Sequence, residues 1–280
     1  MIDKKLINIL DRDIFILIKI LKRMQEVDIE NSRQSQVAGA LLKLGLDKED
    51  ESLQKVLQVS EQRTEKNKIF GMSEAINCLK LFSFYKNDFK TSITKLTDII
   101  VDCSNNDGGL GRFKGDRSRI PICWNLLESF YYLNKESDNN IIRIINWMEN
   151  EWSNDMKFGG LSYKCAGILI AAKYYPIFNN EFIEKSLNWL TNDQSTDGGW
   201  SAKKGFSVGS VPSYTGLALR ALINYKESEK VENTISHGID WLIATRQKGL
   251  WKEHPLEKAL IETDLFVFNQ VSLHYDNRNV

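Results

Sequence analysis

Arg112, Lys114, Arg117 and Arg119 place four cations in one short loop, GRFKGDRSR, and Lys203 and Lys204 stand in a similar loop later in the chain. Each loop runs into a proline, Pro121 or Pro212, of the kind that opens a helix. Guanidinium forks beside helix N-termini suit an oxyanion by charge and by geometry. The competing reading is a solvated charged loop. Acids that can move a proton are Asp116, Glu74 and the Glu262/Asp264 pair. Asp116 lies among three arginines, which hold it ionised, so it organises arginines better than it donates a proton. Glu74 sits near a predicted helix start among Met72, Ala75, Ile76 and Leu79, where burial favours its neutral form, and it is the candidate general acid. A first-turn glutamate held by the helix dipole explains Glu74 more simply. Trp124, Phe130, Tyr131, Tyr163 and Tyr214 form an aromatic set that lines a cavity or packs a core.

Bulk properties remove several function classes. With 37 basic and 37 acidic residues, the chain carries no field that would attract nucleic acid. Cys78, Cys103, Cys123 and Cys165 are far apart with no CxxC pair, which points to free thiols in a reducing compartment rather than a zinc site or a disulfide scaffold. The N-terminal MIDKKLINILDRDIF lacks a signal-peptide layout, and Lys19 interrupts the apolar stretch Phe15–Leu21. The expectation is a cytoplasmic protein without a membrane span; a peripheral membrane contact stays open.

Residues so scattered need a scaffold, and the scaffold is helical. Four prolines in 280 residues, and apolar positions recurring at three and four, predict an all-α chain. Twelve helices are expected near 4–24, 33–45, 48–60, 71–85, 89–104, 121–134, 139–152, 161–175, 180–192, 212–225, 229–246 and 256–272. No Pro-, Gly- or Ser-rich linker divides them, so residues 1–280 are expected to form one domain. Asp107–Ser137 and Asp197–Ser228 share Asp-Gly-Gly, Lys-Gly, a helix-opening proline and Lys-Glu-Ser in the same order, with one extra residue in the second. Lys157–Tyr175 is a third copy and Ile69–Tyr85 an attenuated fourth. Such a helical-hairpin repeat buries its apolar face only against its neighbours. Six hairpins close an (α/α)6 toroid. The helices starting at Pro121, Ser162 and Pro212 would be inner, and their convergent N-termini would offer unpaired N–H groups to an anion.

The turn WLTNDQSTDGGW, Trp189–Trp200, resembles the Gln-Trp repeat of the squalene–hopene cyclases and their triterpene cyclase relatives. WLIATRQKGLW, Trp241–Trp251, is a second copy, and WMENEWSNDMKFGGL, Trp147–Leu161, a degenerate one. The Gly-Gly turns are similar to those of protein prenyltransferase β subunits, which share the toroid. The resemblance implies that Gln194, Trp200, Gln247 and Trp251 are scaffold. The family's cyclase acid motif, Asp-x-Asp-Asp, is missing: Val211, Ser213 and Tyr214 occupy its acidic positions. The prenyltransferase zinc set is also missing, for Cys123 aligns with the ligand cysteine but Pro121 replaces the aspartate. His237, His254 and His274, the three histidines, lie outside the matching helix start.

What remains of the resemblance is Gly111-Arg112-Phe113-Lys114, similar to a prenyltransferase stretch that contacts an isoprenoid diphosphate. The reading is a toroid that binds an isoprenoid or other apolar small molecule, with substrate-binding residues Arg112, Lys114, Arg117, Arg119, Trp124, Tyr163 and Tyr214, and candidate catalytic acids Glu74 and Asp116. Aromatic faces would stabilise carbocations in a cyclisation. No cofactor or protein-held metal is implied, apart from Mg2+ accompanying a diphosphate. The alternatives are a non-catalytic toroid acting as a binding module or partner subunit, and a carbohydrate-active α/α barrel with paired carboxylates.

Overall fold

Burial alternates helix by helix along the chain and sorts the helices into two layers. In the computed structural model, residues 31–43, 45–135, 139–205, 209–226 and 228–245 are described, together with helical positions 18, 21, 22 and 25. They form ten α-helices: α1 Asn31–Lys43, α2 Glu51–Glu65, α3 Gly71–Ser83, α4 Lys90–Asp102, α5 Ile120–Tyr132, α6 Asn139–Lys157, α7 Ser162–Tyr174, α8 Asn180–Asn192, α9 Pro212–Leu222 and α10 Glu229–Thr245. A 3-10 turn, Ile223–Tyr225, extends α9. Every residue of α9 except Tyr214 is buried, whereas α8 buries only Ser186, Leu190 and Thr191. The odd-numbered helices are therefore inner and the even-numbered ones outer.

Inner helices pack in series, α1 on α3, α3 on α5, α5 on α7 and α7 on α9, and each also packs on the outer helix that follows it. This is the all-α toroid expected from the sequence. Nine of the predicted helices from 48–60 to 229–246 coincide with observed ones within a few residues, as does 33–45 with α1. The predicted helix near 256–272 lies outside the described residues, as do most of 4–24. A helix hydrophobic nearly all round can only be a core element. Full burial of each inner Leu or Ile contributes about 1.5–3 kcal/mol, so the ring of inner helices carries the stability.

The turns from outer to inner helices are built alike. Asp107 accepts from Gly109 N–H and Ser118 Oγ at 2.9 and 2.7 Å, and Asp197 accepts from Gly199 N–H and Ser210 Oγ at 3.0 and 2.7 Å. Gly108 and Gly198 adopt φ of +99° and +97°. A Cβ there would meet the Arg143 carbonyl at 2.9 Å or the His237 carbonyl at 2.6 Å, so a side chain is excluded by contact as well as by conformation. Gln194 donates to the Gly198 and Thr234 carbonyls, tying the second turn to α10, and buried Trp200 donates to the Leu190 carbonyl at 3.0 Å. Trp152 meets Trp189 edge to face with centroids 5.0 Å apart.

The copies differ in length by one residue overall, but the loop before the inner helix is two residues longer in the second. Arg119 N–H bonds the Leu110 carbonyl and Val211 N–H bonds the Trp200 carbonyl, which makes Ile120 and Pro212 equivalent first residues of α5 and α9. Pro121 thus corresponds to Ser213, not to Pro212. Both prolines fit because the first helical N–H groups need no intrahelical partner. Among the described residues no helix is long and apolar enough to cross a membrane.

Candidate functional site

In α3, α5 and α9 the fourth residue is where the preceding turn meets the barrel. In α5 it is Cys123, whose sulfur accepts Leu110 N–H at 3.3 Å; in α9 it is Thr215, whose hydroxyl accepts Trp200 N–H at 2.9 Å. Cys123 therefore serves the turn. Burial pushes its thiol up to about 12, so it is not the thiolate a zinc site needs. Among the described residues no three His, Cys, Asp or Glu side chains gather as metal ligands.

Glu74 holds the same fourth position in α3. It is fully buried and accepts from Arg63 Nε at 2.7 Å, Arg63 Nη2 at 3.1 Å, Phe70 N–H at 2.6 Å and Asn31 Nδ2 at 3.3 Å. A carboxylate surrounded by donors is an anchor between α1, α2 and α3. This geometry argues against the general-acid role read from sequence, because every contact asks Glu74 to accept.

A pocket of about 600 Å³ opens at the N-terminal ends of α5 and α7. Its walls include Arg112, Arg117 and Arg119 from the basic loop, Ile120, Pro121 and Ile122 from α5, Tyr163 and Lys164 from α7, Glu151 and Asp155 from α6, and Ser73 from α3. Four of the residues read from sequence as substrate-binding, Arg112, Arg117, Arg119 and Tyr163, thus come together. Asp116 orders the loop that carries them. It accepts Arg112 N–H at 3.0 Å and Arg119 Nε at 3.3 Å, and these bonds, that from the Arg112 backbone first, hold its carboxyl below the usual range. A Cβ at Gly111 would lie 2.3 Å from the Asp116 carbonyl, so the loop closes tightly on itself.

Other expected residues are elsewhere. Lys114 is exposed, close enough to Cys103 to act on its thiol, and is not part of the pocket wall. Lys204 donates to the Asn192 carbonyl at 2.6 Å, and Lys203 stands beside Gly159. Trp124 is buried: its ring fills the space over Gly167 and lies 5.5 Å beneath the Arg220 guanidinium. Phe130 is buried, and Tyr131 packs on Tyr174 with centroids 4.4 Å apart. Tyr214 stacks on Tyr163 at 5.8 Å, which brings the start of α9 to the pocket edge. Glu262, Asp264, His254, His274, Gln247 and Trp251 lie outside the described residues.

Sequence reasoning missed Lys164, Ser73, Glu151 and Asp155. Lys164 is the third residue of α7, an inner-helix start where an anion was expected, and its ammonium reaches Asp155 at 2.5 Å. The helix starts are also less open than expected. Met72 N–H donates to the Arg112 carbonyl at 2.8 Å and Ser162 N–H to the Ala202 carbonyl at 2.9 Å, so the loop of the next repeat caps each of these helices. At this mouth, side-chain cations rather than free N–H groups supply the attraction for an anion.

The opposite end of the barrel is closed by charge. Glu128 of α5 is fully buried and pairs with Arg220 of α9, Lys80 of α3 and, at 3.5 Å, Lys43 of α1. Burial alone would raise its pKa, but Arg220, Lys43 and Lys80 outweigh that and hold it well below the usual carboxylate range. Three cations exceed one carboxylate. The C-terminal dipoles of the inner helices favour cations at this end.

Residues 122–267 match the squalene–hopene cyclase C-terminal domain and residues 15–164 the prenyltransferase alpha-alpha toroid domain, each about half of the chain. A squalene–hopene cyclase from Bradyrhizobium diazoefficiens is 30% identical over 112 residues, 36% of this chain and 16% of that protein, so the matched stretch spans a small part of its relative. Among solved structures, a type II terpene cyclase from Scytonema, in complex with geranylgeranyl dihydroxybenzoate, superposes with a TM-score of 0.72 at 11% identity over 96% of this chain and 98% of that one. Candida albicans protein geranylgeranyltransferase-I complexed with GGPP gives 0.69 at 12% over 96% and 92%. A glycoside hydrolase of family 105 from C. acetobutylicum shares the fold at 0.62 and 10% over 92% and 99%, which shows how many chemistries this toroid carries. With inner and outer helices, repeated Asp-Gly-Gly turns and both domain matches in agreement, the chain belongs to the squalene–hopene cyclase and prenyltransferase α/α-toroid superfamily.

Proposed function

We propose that this protein binds an isoprenoid diphosphate, with the diphosphate in the pocket at the starts of α5 and α7. The observation that carries the reading is the convergence of Arg112, Arg117, Arg119 and Lys164 on one pocket of about 600 Å³. Guanidinium forks and an ammonium beside two helix starts suit two linked phosphates. Tyr163, Ile120 and Ile122 are the apolar walls against which the first isoprene unit would lie. A Mg2+ ion accompanying the diphosphate would find its carboxylates in Glu151 and Asp155. The superfamily membership supports an isoprenoid rather than another phosphorylated apolar chain.

The finer reading is a cyclase or prenyl-transfer reaction by an acid other than the family's. A second reading, a non-catalytic binding toroid, is favoured by two observations: Thr215 and Cys123 are engaged as turn caps, and Glu128 with its cations fills the far end of the barrel. Calorimetric titration with farnesyl and geranylgeranyl diphosphate, followed by product analysis, separates the two. Binding is expected in the micromolar range and should weaken at least tenfold in Arg112→Ala plus Arg117→Ala, at about 1.4 kcal/mol per tenfold. Asp116→Ala should also weaken it, because the arginines lose their organiser. Absence of binding at high micromolar concentration, or binding indifferent to the double variant, defeats the proposal. Binding without product supports the non-catalytic form.

A further inference from the structure

Arg220 and Lys80 satisfy Glu128 between them, and Lys43 is the cation left over. Arg220 Nη2 donates to Glu128 Oε1 and Lys80 Nζ to Oε2, whereas Lys43 Nζ stands 3.5 Å from Oε1, the longest of the three contacts. Side-chain exposure is 2% for Lys43, 3% for Arg220, 11% for Lys80 and 0% for Glu128, so water screens them little. Lys43 Nζ also lies within hydrogen-bond reach of Lys80 and 5.4 Å over the Tyr132 ring. The other titratable groups around the cluster are Tyr132 and Tyr174, with hydroxyls 3.4 Å apart, and Lys173, exposed at the end of α7. Burial raises both tyrosines, so they keep their protons.

Two ammonium groups side by side, with a guanidinium and a single carboxylate, repel one another strongly in a buried site. Helix C-terminal dipoles offset only part of that excess. Burial drives the Lys43 pKa well below the ordinary lysine value, and Lys80 and Arg220 push the same way against Glu128. A desolvated primary amine beside other cations is the arrangement that makes a lysine nucleophilic near neutral pH. Its neighbours Arg220, Lys80 and Tyr132 are donors, which suit a negative charge attached to that nitrogen. There is also room. Gly39, one turn earlier on the same face of α1, is buried, yet a Cβ added there would have no described atom within 4 Å. Helical side chains lean towards the N-terminus, so the Lys43 chain leads over this space.

We propose that Lys43 is a carbamate-forming site: its unprotonated amine adds carbon dioxide, and the carbamate points towards the space at Gly39 within reach of Arg220 and Lys80. The nitrogen lone pair forms the N–C bond, one C=O π pair becomes the charge on a carbamate oxygen, and one N–H proton leaves to water. The cluster then holds two anions against Arg220 and Lys80, instead of one anion against three cations. Carbon dioxide is small and uncharged, so local opening of the helix ends admits it. The proposal is independent of the diphosphate reading, because the cluster lies at the other end of the barrel.

Carbon NMR of the full chain in isotopically labelled bicarbonate at about pH 8 tests it. A carbamate resonance should appear, distinct from bicarbonate and carbon dioxide, and should vanish in Lys43→Met. Trapping the carbamate by alkylation and mapping the peptides separates Lys43 from a free α-amino group, which also adds carbon dioxide near its pKa of about 8. Gly39→Leu fills the space but leaves the amine, and should weaken the label at Lys43 about tenfold or more. The thermal midpoint should be higher in bicarbonate than in chloride of equal ionic strength, and Lys43→Met should abolish that difference. Should Lys43→Met fail to fold, Lys43→Arg serves, because a guanidinium stays protonated and adds no carbon dioxide. Label confined to the α-amino group or carried by Lys80 overturns the proposal. So does label undiminished in the Lys43 variant or in Gly39→Leu, or a midpoint indifferent to bicarbonate.

Discussion

Glu128 and Arg220 occupy the same ninth position of α5 and α9 and meet across the barrel as a buried ion pair. Repeat symmetry puts them opposite one another, and a single difference in sequence turns two equivalent positions into an acid and a base. Lys80 and Lys43 complete the cluster. Because Arg220 is the buried partner with the fork, Arg220→Met should cost about 3–5 kcal/mol by stranding Glu128. Lys43 is different: burial first, then Lys80 and Arg220, drive its pKa well below the ordinary lysine value despite Glu128. Lys43→Met should therefore cost clearly less than Arg220→Met in urea unfolding. Glu128 titrates lower in the folded state than in the unfolded one. Its contribution is present above about pH 4.3, the ordinary glutamate value, and is lost as pH falls towards the folded value.

Thr215 and Cys123 should behave as turn caps. Thr215→Val keeps the shape of the side chain but leaves the buried Trp200 N–H without its acceptor, and should cost about 1–3 kcal/mol. Thr215→Ser restores the hydroxyl and most of the stability. In native protein, a thiol reagent at mildly alkaline pH should modify Cys103, which is half-buried, well before Cys78, Cys123 and Cys165, which are buried out of its reach, although burial raises all four thiols. Counting thiols with and without denaturant checks this directly.

Gly167 lets α5 and α7 approach. A Cβ there would fall 2.2 Å from Trp124 Cδ1, so Gly167→Ala should destabilise by about 1–3 kcal/mol through overpacking. If Trp124 packs the core as the structure places it, Trp124→Leu should recover part of that loss in the double variant, and thermal melts of the four forms give the coupling.

Asp193, at the end of α8, is buried with one oxygen lacking a hydrogen-bond partner among the described residues, and burial raises its pKa to about 6. A carboxyl that titrates higher when folded supports the fold most at low pH, and the support is lost as pH rises from about 4 to 6. Asp193→Asn should therefore raise the thermal midpoint at pH 8, by an amount worth about 1–3 kcal/mol, and lose that advantage near pH 4. Melts across that range show the sign.

Local information was enough for the helices and for the repeat. The three-and-four spacing of apolar residues and the turn formers around Gly108 and Gly198 act within a few residues, so α8 at 180–192 and the Asp-Gly-Gly turns could be read directly from sequence. Arg112, Arg117 and Arg119 were legible for the same reason, lying together in one loop. Tertiary structure decided which side chains joined them. Lys164 is far along the chain from Arg119, and only the packing of α7 beside α5 brings it to the pocket, while Lys114, within the loop, is not among the wall residues. Packing also gave Glu74 its partners, because Arg63 and Asn31 arrive from two other helices. It fixed the register that makes Pro212 equivalent to Ile120 and sets Glu128 against Arg220. Helix formation is governed by neighbours in sequence, whereas the charge around a buried carboxylate depends on neighbours that only the packing of inner helices on one another supplies.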